Sequence, residues 1–165
     1  ARKGLGYLPQ QPSVFTKMSV QNNLLTVLET LSLDQDTVHN NLEKILKDFG
    51  LLKIRYTRAD LLSGGERRRL EIARSIAMNP KFILLDEPFA GVDPLAIQDI
   101  QNMVKKLKDR NIGVLITDHN VRETLAITDR AYLLYDGKIL KYGNTHELIN
   151  DTEVRKLYLG NNFKF

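Results

Sequence analysis

The sequence has no cysteine, no long apolar run and no strong excess of either charge. The absence of cysteine excludes a disulfide framework and thiolate metal sites, and it fits a reducing compartment such as the cytosol. No apolar run approaches the roughly 20 residues that cross a bilayer, and the opening residues lead into no signal-peptide core. We therefore expect a chain that is neither inserted into a membrane nor secreted by signals of its own.

The charges are nearly balanced, with 24 lysines and arginines against 20 aspartates and glutamates, and the net +4 is scattered along the chain. A balance this weak does not indicate nucleic-acid binding, and no nucleic-acid partner is expected. Of the 165 residues, 42% are hydrophobic, enough to build a core in one or two compact domains. Disorder is excluded as the main state of the chain.

Three amphipathic segments predict helices in the first half of the chain. The first helix follows a cap at Ser19 and runs to Leu31, and the second runs from about Asp36 to Phe49. The third opens at Ser63 and ends before the Asn79-Pro80 step, because proline disfavours helical backbone in the residue before it.

After the third helix, the hydrophobic pattern of the sequence changes to one that is typical of an α/β fold. Phe82–Leu85 and Gly113–Ile116 are short apolar runs without polar alternation, which is typical of parallel strands covered on both faces. A helix from Asp93 to about Asp109 lies between them and predicts a right-handed crossover in a mostly parallel sheet. Asp136-Gly137, between two further strand-like runs, indicates a hairpin, and short helices follow it.

Two adjacent carboxylates, Asp86 and Glu87, follow the first of these buried strands. Open parallel sheets bind ligands at the carboxyl ends of their strands. There Asp86 could hold Mg²⁺ through its water shell and Glu87 could polarise an attacking water. Taken alone, the pattern is equally explained by acidic residues that cap the next turn.

The segment Ser63-Gly64-Gly65-Glu66 also supports two interpretations. Ser63 and Glu66 have the spacing of a capping box, which by itself explains the sequence. The paired glycines leave the amides of a helix N-terminus bare of side chains, and bare amides at a positive helix end suit a phosphate group.

His119 and Gln10 each follow a predicted strand and carry little information alone. A neutral imidazole at the end of a parallel strand could reach a γ-phosphate or the attacking water. A glutamine amide at the end of the first strand, Leu5–Leu8, could face the same Mg²⁺ and water.

The order of these features along the chain resembles that of the ABC-type ATPase cassette, and the resemblance covers the whole length. The motifs are a glutamine loop at Gln10, a signature at Leu62-Ser63-Gly64-Gly65-Glu66, a Walker B strand over Phe82–Glu87, a loop at Ala90-Gly91-Val92-Asp93 and a switch histidine at His119.

This resemblance implies a P-loop NTPase-like cassette of the α/β class, with a mostly parallel sheet, flanking helices and a helical subdomain, incomplete at the N-terminus. Residues 1–10 would end the ATP-binding core, and residues 11–78 would form the helical subdomain with the signature. Residues 79–165 would complete the core and add a C-terminal extension.

The resemblance also implies the cofactors ATP and Mg²⁺ and a role for each matching residue. Asp86 would bind Mg²⁺ through water, together with Gln10. Glu87 would be the catalytic base, and His119 would contact the γ-phosphate.

Two kinds of partner are implied in the same way. In this family Ser63, Gly64 and Gly65 contact the γ-phosphate held by the other subunit, so two copies would form a homodimer around two nucleotides, with Asp93 at the interface. Two integral membrane subunits would insert coupling helices into the helical subdomain. The protein would then lie in the cytoplasm, peripherally on the inner membrane.

The phosphate-binding loop of the family is missing from the sequence. A Gly-x-x-x-x-Gly-Lys-Ser/Thr string is expected before Gln10, yet none of the ten glycines precedes Lys-Ser or Lys-Thr, and the adenine-stacking aromatic is missing as well. The chain begins at Ala1 rather than Met, so we expect a lost upstream segment whose strand leaves a gap in the sheet.

The purified 165-residue chain is therefore expected neither to bind ATP tightly nor to hydrolyse it, because the main cradle for the β- and γ-phosphates is absent. Phosphate release measured with and without Mg²⁺ checks this, and magnesium-dependent turnover by the purified chain would contradict it.

Longer strings are similar to a subgroup of the family, the ATPases that power lipopolysaccharide export from the inner to the outer membrane of Gram-negative bacteria. These strings are Gly6–Gln10, Ser63–Arg69, Phe89–Pro94, Ile116–Thr124 and the tail Tyr158–Phe163. ATPases of branched-chain amino-acid importers share part of this pattern and are an alternative. A non-transport ABC ATPase and a docking pseudo-ATPase are the others, and intact Asp86, Glu87 and His119 argue against the latter.

Overall fold

A computed structural model describes residues 4–160, which divide into two compact units at the step from Asp118 to His119. In the range 4–160, no helix is both long enough and apolar enough to span a bilayer. The tail residues 161–163, used above for the subgroup, lie outside the described residues.

The first unit combines three strands with four helices, three of which follow one another between the first and second strands. Its elements are β1 (Leu5–Leu8), α1 (Val20–Leu28), α2 (Gln35–Asp48), α3 (Gly64–Ala77), β2 (Phe82–Asp86), α4 (Pro94–Asp109) and β3 (Gly113–Thr117). Short 3₁₀ turns cover Glu29–Leu31, Leu52–Ile54 and Ala59–Leu61. The four helices begin where side chains cap their free N–H groups, at Ser19, Asp34, Ser63 and Asp93. The predicted helices are confirmed, except that the first ends in a 3₁₀ turn.

The second unit holds an antiparallel hairpin and short helices. Its elements are α5 (Val121–Leu125), β4 (Arg130–Tyr135), β5 (Lys138–Asn144), α6 (Thr145–Asn150), α7 (Thr152–Val154) and a π-helical turn (Arg155–Leu159). The hairpin turns at Asp136 and Gly137, both at positive φ, as the Asp-Gly step predicts. The helix α5 was not predicted, because its five residues are too short to establish a period.

The three strands of the first unit form a parallel sheet in the order β1-β2-β3. Side chains alternate between its two faces, and α3 and α4, which contact β1 and β3 and each other, cover one of them. Leu8, Ile83 and Leu85 are buried on the covered face.

The expectation that β2 and β3 are covered on both faces is wrong within the described chain. On the other face, Tyr7 is 55% exposed, Phe82 41% and Leu115 50%. The helices with the most contacts to the sheet, α3 and α4, also contact each other, which is consistent with their packing on the face that buries Leu8. Among the described strands, β1 and β3 each pair with β2 alone and form the two edges of the sheet. The gap expected from a lost upstream strand stays a prediction.

Candidate functional site

The parallel register brings Gln10 to the two carboxylates. Leu8 of β1 pairs with Leu85 of β2, so the residues after both strands emerge at the same edge of the sheet. There the Nε2 amide of Gln10 donates a 2.8 Å hydrogen bond to an Oε of Glu87. Two residues separated by 77 positions in sequence thus meet. The sequence placed each of them after a predicted strand, and the pairing of the two strands brings them together.

Asp86 is oriented by two hydroxyl groups. Thr117 at the end of β3 donates to one carboxylate oxygen at 2.7 Å, and Tyr7 of β1 donates to the other at 3.2 Å. Desolvation raises the pKa of the Tyr7 hydroxyl, and its hydrogen bond to Asp86 and the charge of that carboxylate act in the same direction. Tyr7 therefore remains a proton donor to Asp86 through neutral pH. Neither hydroxyl was predicted as part of the site.

Glu87 has a left-handed backbone, with φ of +43°. This conformation costs a residue with a side chain about 1–3 kcal/mol and persists where surrounding contacts enforce it. One such contact is the 2.7 Å hydrogen bond from the Glu87 amide to the carbonyl of Thr117. The turn aims the Glu87 carboxylate at Gln10 while the strand that precedes it stays in the sheet.

A buried ion pair on α3 lies beneath this edge and was missed from the sequence. Arg68 is 6% exposed and Glu71 3%, and Nη1 of Arg68 lies 3.0 Å from Oε2 of Glu71. Their spacing of three residues puts both on the helix face that also buries Ile72 and Ile76. That periodicity was the available signal, but the run Arg67-Arg68-Arg69 looks like a solvated charged face.

Arg68 binds the backbone of both segments that carry the candidate residues. Its guanidinium donates to the carbonyls of Asp86 and Glu87 at 3.0 Å, of Pro88 at 3.2 Å and of Pro9 at 3.1 Å. The second oxygen of Glu71 accepts a 3.0 Å hydrogen bond from the amide of Ser13.

The N-terminus of α3 forms a second group of predicted residues. Ser63 and Glu66 make the predicted capping box, with hydrogen bonds of 2.9 Å and 3.3 Å between each backbone amide and the other side chain. Gly65 lies against the start of α4, where an added Cβ would be 2.6 Å from Cβ of Ala96 and 3.7 Å from Oδ2 of Asp93. Gly65 therefore lies close to Asp93 in the structure. Asp93 caps α4 by accepting a hydrogen bond from the Ala96 amide.

His119 opens the second unit, and its backbone carbonyl accepts a 3.0 Å hydrogen bond from the amide of Val121. A γ-phosphate contact by this residue stays a prediction.

The donor set at the sheet edge suits Mg²⁺. The ion prefers one or two carboxylates, retained waters and substrate phosphates to a cage made only of protein ligands. Asp86 and Glu87 supply the carboxylates, and the oxygen of the Gln10 amide is a third hard donor. Between residues 4 and 160 no cluster of three or more histidine, aspartate or glutamate side chains is arranged to hold a metal alone, so a bound ion would rely on other ligands.

A parallel sheet that presents these groups at its carboxyl edge places them where α/β proteins bind their ligands. The family model described as ABC transporter matches residues 1–90. The chain is 56% identical over 164 residues to the lipopolysaccharide export system ATP-binding protein LptB of Acidithiobacillus ferridurans, covering 99% of this chain and 68% of that protein. It is 51% identical to an uncharacterized ABC transporter ATP-binding protein of Rhizobium meliloti (strain 1021), covering 99% of this chain and 60% of that protein.

Solved structures agree on the fold. An ATP-binding cassette of an ABC transporter, crystallised in its ADP conformation, matches with a TM-score of 0.79 at 30% identity, over 96% of this chain and 69% of that one. The chain spans between 60% and 68% of the length of the two relatives above. The chain belongs to the ABC transporter ATP-binding family, the ATP-hydrolysing subunits of these transporters.

Proposed function

We propose that the complete protein powers the export of lipopolysaccharide from the inner membrane to the outer membrane of a Gram-negative bacterium. The proposal is supported by the 56% identity to the lipopolysaccharide export protein of Acidithiobacillus ferridurans and by 47% identity to that of Escherichia coli K12. Both likenesses extend over 99% of the chain, so they include the helical segment as well as the motifs.

The proposed chemistry is attack of water on the γ-phosphate of Mg²⁺-bound ATP. Glu87 acts as the base, Asp86 and Gln10 bind the ion, and His119 contacts the γ-phosphate. The observation that carries this assignment is the 2.8 Å hydrogen bond between Gln10 and Glu87, at the edge that also presents Asp86. A base must lie within one hydrogen bond of the proton that it takes, and the Gln10 contact fixes where the Glu87 carboxylate lies.

The proposed assembly is a homodimer that closes around two ATP molecules. Ser63, Gly64 and Gly65 of one subunit contact the nucleotide of the other, and Asp93 lies at the interface. The capped N-terminus of α3, with two glycines in its first turn, suits an anion presented from outside. The γ-phosphate bridges the subunits, and its loss on hydrolysis lets them reopen.

Residues 11–78 are the proposed helical subdomain, and they receive the coupling helices of two membrane subunits. Phe15 supports this part of the proposal, because it is 51% exposed yet held in place. Its backbone is bound by the buried amide of Asn23, and the guanidinium of Arg74 lies 4.7 Å from its ring centroid. An ordered, exposed aromatic side chain suits an apolar partner. The protein would thus associate peripherally with the inner membrane.

Reconstitution separates lipopolysaccharide export from amino-acid import. The complete protein, combined in proteoliposomes with the membrane subunits of a lipopolysaccharide exporter, is expected to release lipopolysaccharide to an acceptor in an ATP-dependent manner. The same vesicles with Glu87→Gln serve as control. If the protein fails to assemble with these subunits but restores ATP-driven uptake of a branched-chain amino acid with importer subunits, the substrate assignment is overturned.

A further inference from the structure

We propose that Arg68 and Glu71 are positioning residues for hydrolysis, which hold Glu87 in its left-handed conformation and tie it to the segment after Gln10. The inference rests on the proposed function, in which Glu87 is the base. Both side chains are buried on α3, outside the signature residues Ser63–Glu66.

The contacts of Arg68 are concentrated where Glu87 needs support. Its guanidinium donates to three successive carbonyls, those of Asp86, Glu87 and Pro88. A planar group that binds consecutive carbonyls restricts the backbone between them, and Glu87 is the residue with positive φ at its centre. Without the Arg68 guanidinium, Glu87 can relax toward an ordinary backbone conformation. That change would turn the Glu87 carboxylate away from its position near Gln10.

Glu71 extends the same support to the glutamine loop. One of its oxygens accepts from Arg68 and the other from the Ser13 amide, three residues after Gln10. Arg68 also binds the carbonyl of Pro9, the residue before Gln10. The pair therefore fixes the backbone on both sides of Gln10 and on both sides of Glu87, and so fixes the distance between the two side chains.

A role in core stability alone does not explain this arrangement. A buried ion pair is weak as a source of stability, since well-packed apolar side chains of similar volume often replace such pairs at no loss. Apart from each other, the two side chains bind only backbone groups within residues 4–160. These groups belong to the segments that carry Gln10 and Glu87.

Two conservative substitutions in the complete protein test the proposal. Glu71→Gln keeps the volume but offers one acceptor oxygen, so it cannot accept from both Arg68 and Ser13. Arg68→Lys keeps the charge but loses the planar fork. Each is expected to lower kcat at least about tenfold while KM for ATP changes less than about threefold, because positioning acts on the transition state more than on ground-state binding.

The double variant distinguishes a shared positioning role from two independent losses. Residues that act as a unit are non-additive, so Arg68→Lys with Glu71→Gln is expected to be little slower than the slower single variant. The matched control is Asp99→Asn, which alters another arginine–carboxylate pair, with Arg69 at 3.1 Å, on the exposed side of α4. It is expected to retain wild-type kcat.

Assays are run below the melting temperature of every variant, with melting temperatures measured in parallel. The proposal is overturned if both variants keep kcat within about twofold, or if lost turnover follows only the fraction unfolded at the assay temperature. Failure of the proposed function is distinct, because wild-type protein would then lack ATP hydrolysis or Glu87→Gln would retain it.

Discussion

Replacing Glu87 with Gln in the complete protein is expected to reduce ATP turnover by about 10² to 10⁴-fold, the usual contribution of a general base. The amide has the same shape and can still accept the hydrogen bond from Gln10, but it cannot take a proton from the attacking water. Binding of Mg²⁺ and ATP should persist because Asp86 keeps both of its hydroxyl partners. The variant is therefore expected to accumulate as a closed, ATP-bound dimer.

Phosphate release and the oligomeric mass in the presence of ATP measure the two effects separately. Glu147→Gln is the matched control, because glutamine at this position preserves the capping box of α6, and its turnover is expected to stay close to the wild-type value. Near-normal hydrolysis by Glu87→Gln would remove Glu87 from the role of base.

Gly65→Ala is the second substitution expected to have a large effect. Its new Cβ would lie 2.6 Å from Cβ of Ala96, well inside van der Waals contact, and Ala96 has no flexible end that could move away. The N-terminus of α3 must then shift from the start of α4. Overpacking of this kind costs about 1–3 kcal/mol of stability. Because the shift also moves the signature glycines relative to Asp93, ATP turnover should fall in parallel.

A neighbouring glycine provides the control for this prediction. A Cβ added at Gly64 meets only the carbonyl oxygen of Gly91, at 3.5 Å, so Gly64→Ala should keep the wild-type melting temperature. Any loss of turnover in that variant reports on the nucleotide contact rather than on packing.

Rescue tests the steric cause directly. Ala96→Gly removes the methyl group that the new Cβ meets, so the double variant with Gly65→Ala is expected to regain part of the lost stability. The recovery is limited by the cost of glycine in a helix, about 1 kcal/mol. A Gly65→Ala protein as stable as the wild type would show that the two helices separate without penalty.

The helices and the hairpin were predictable because their determinants are local. Ser63 and Glu66 form the capping box that their spacing predicts, and Asp93 caps α4 just before a proline. Asp136-Gly137 turns with both residues at positive φ, as that dipeptide favours. In each case the residues that decide the backbone are within a few positions of it, so no distant contact can alter the outcome easily.

The meeting of Gln10 with Glu87 was predictable in part. The sequence shows that both residues follow strands, and parallel strands end at the same edge of a sheet. That β1 and β2 are neighbours, with Leu8 paired to Leu85, depends on strand order. The hydroxyl groups of Tyr7 and Thr117 became part of the site only through this register, which brings both to Asp86.

The sequence by itself determined where the four capped helices of the first unit begin, where the hairpin turns and which polar residues follow the strands, because caps and turns act over a few residues. Only the tertiary structure decided which of three successive arginines is buried, since Arg68 alone of Arg67–Arg69 is among the buried residues. It also decided which face of the sheet stays exposed and that Gly65 must be small against Ala96. Each of these depends on which distant segment covers a side chain, and covering is a property of packing rather than of local sequence.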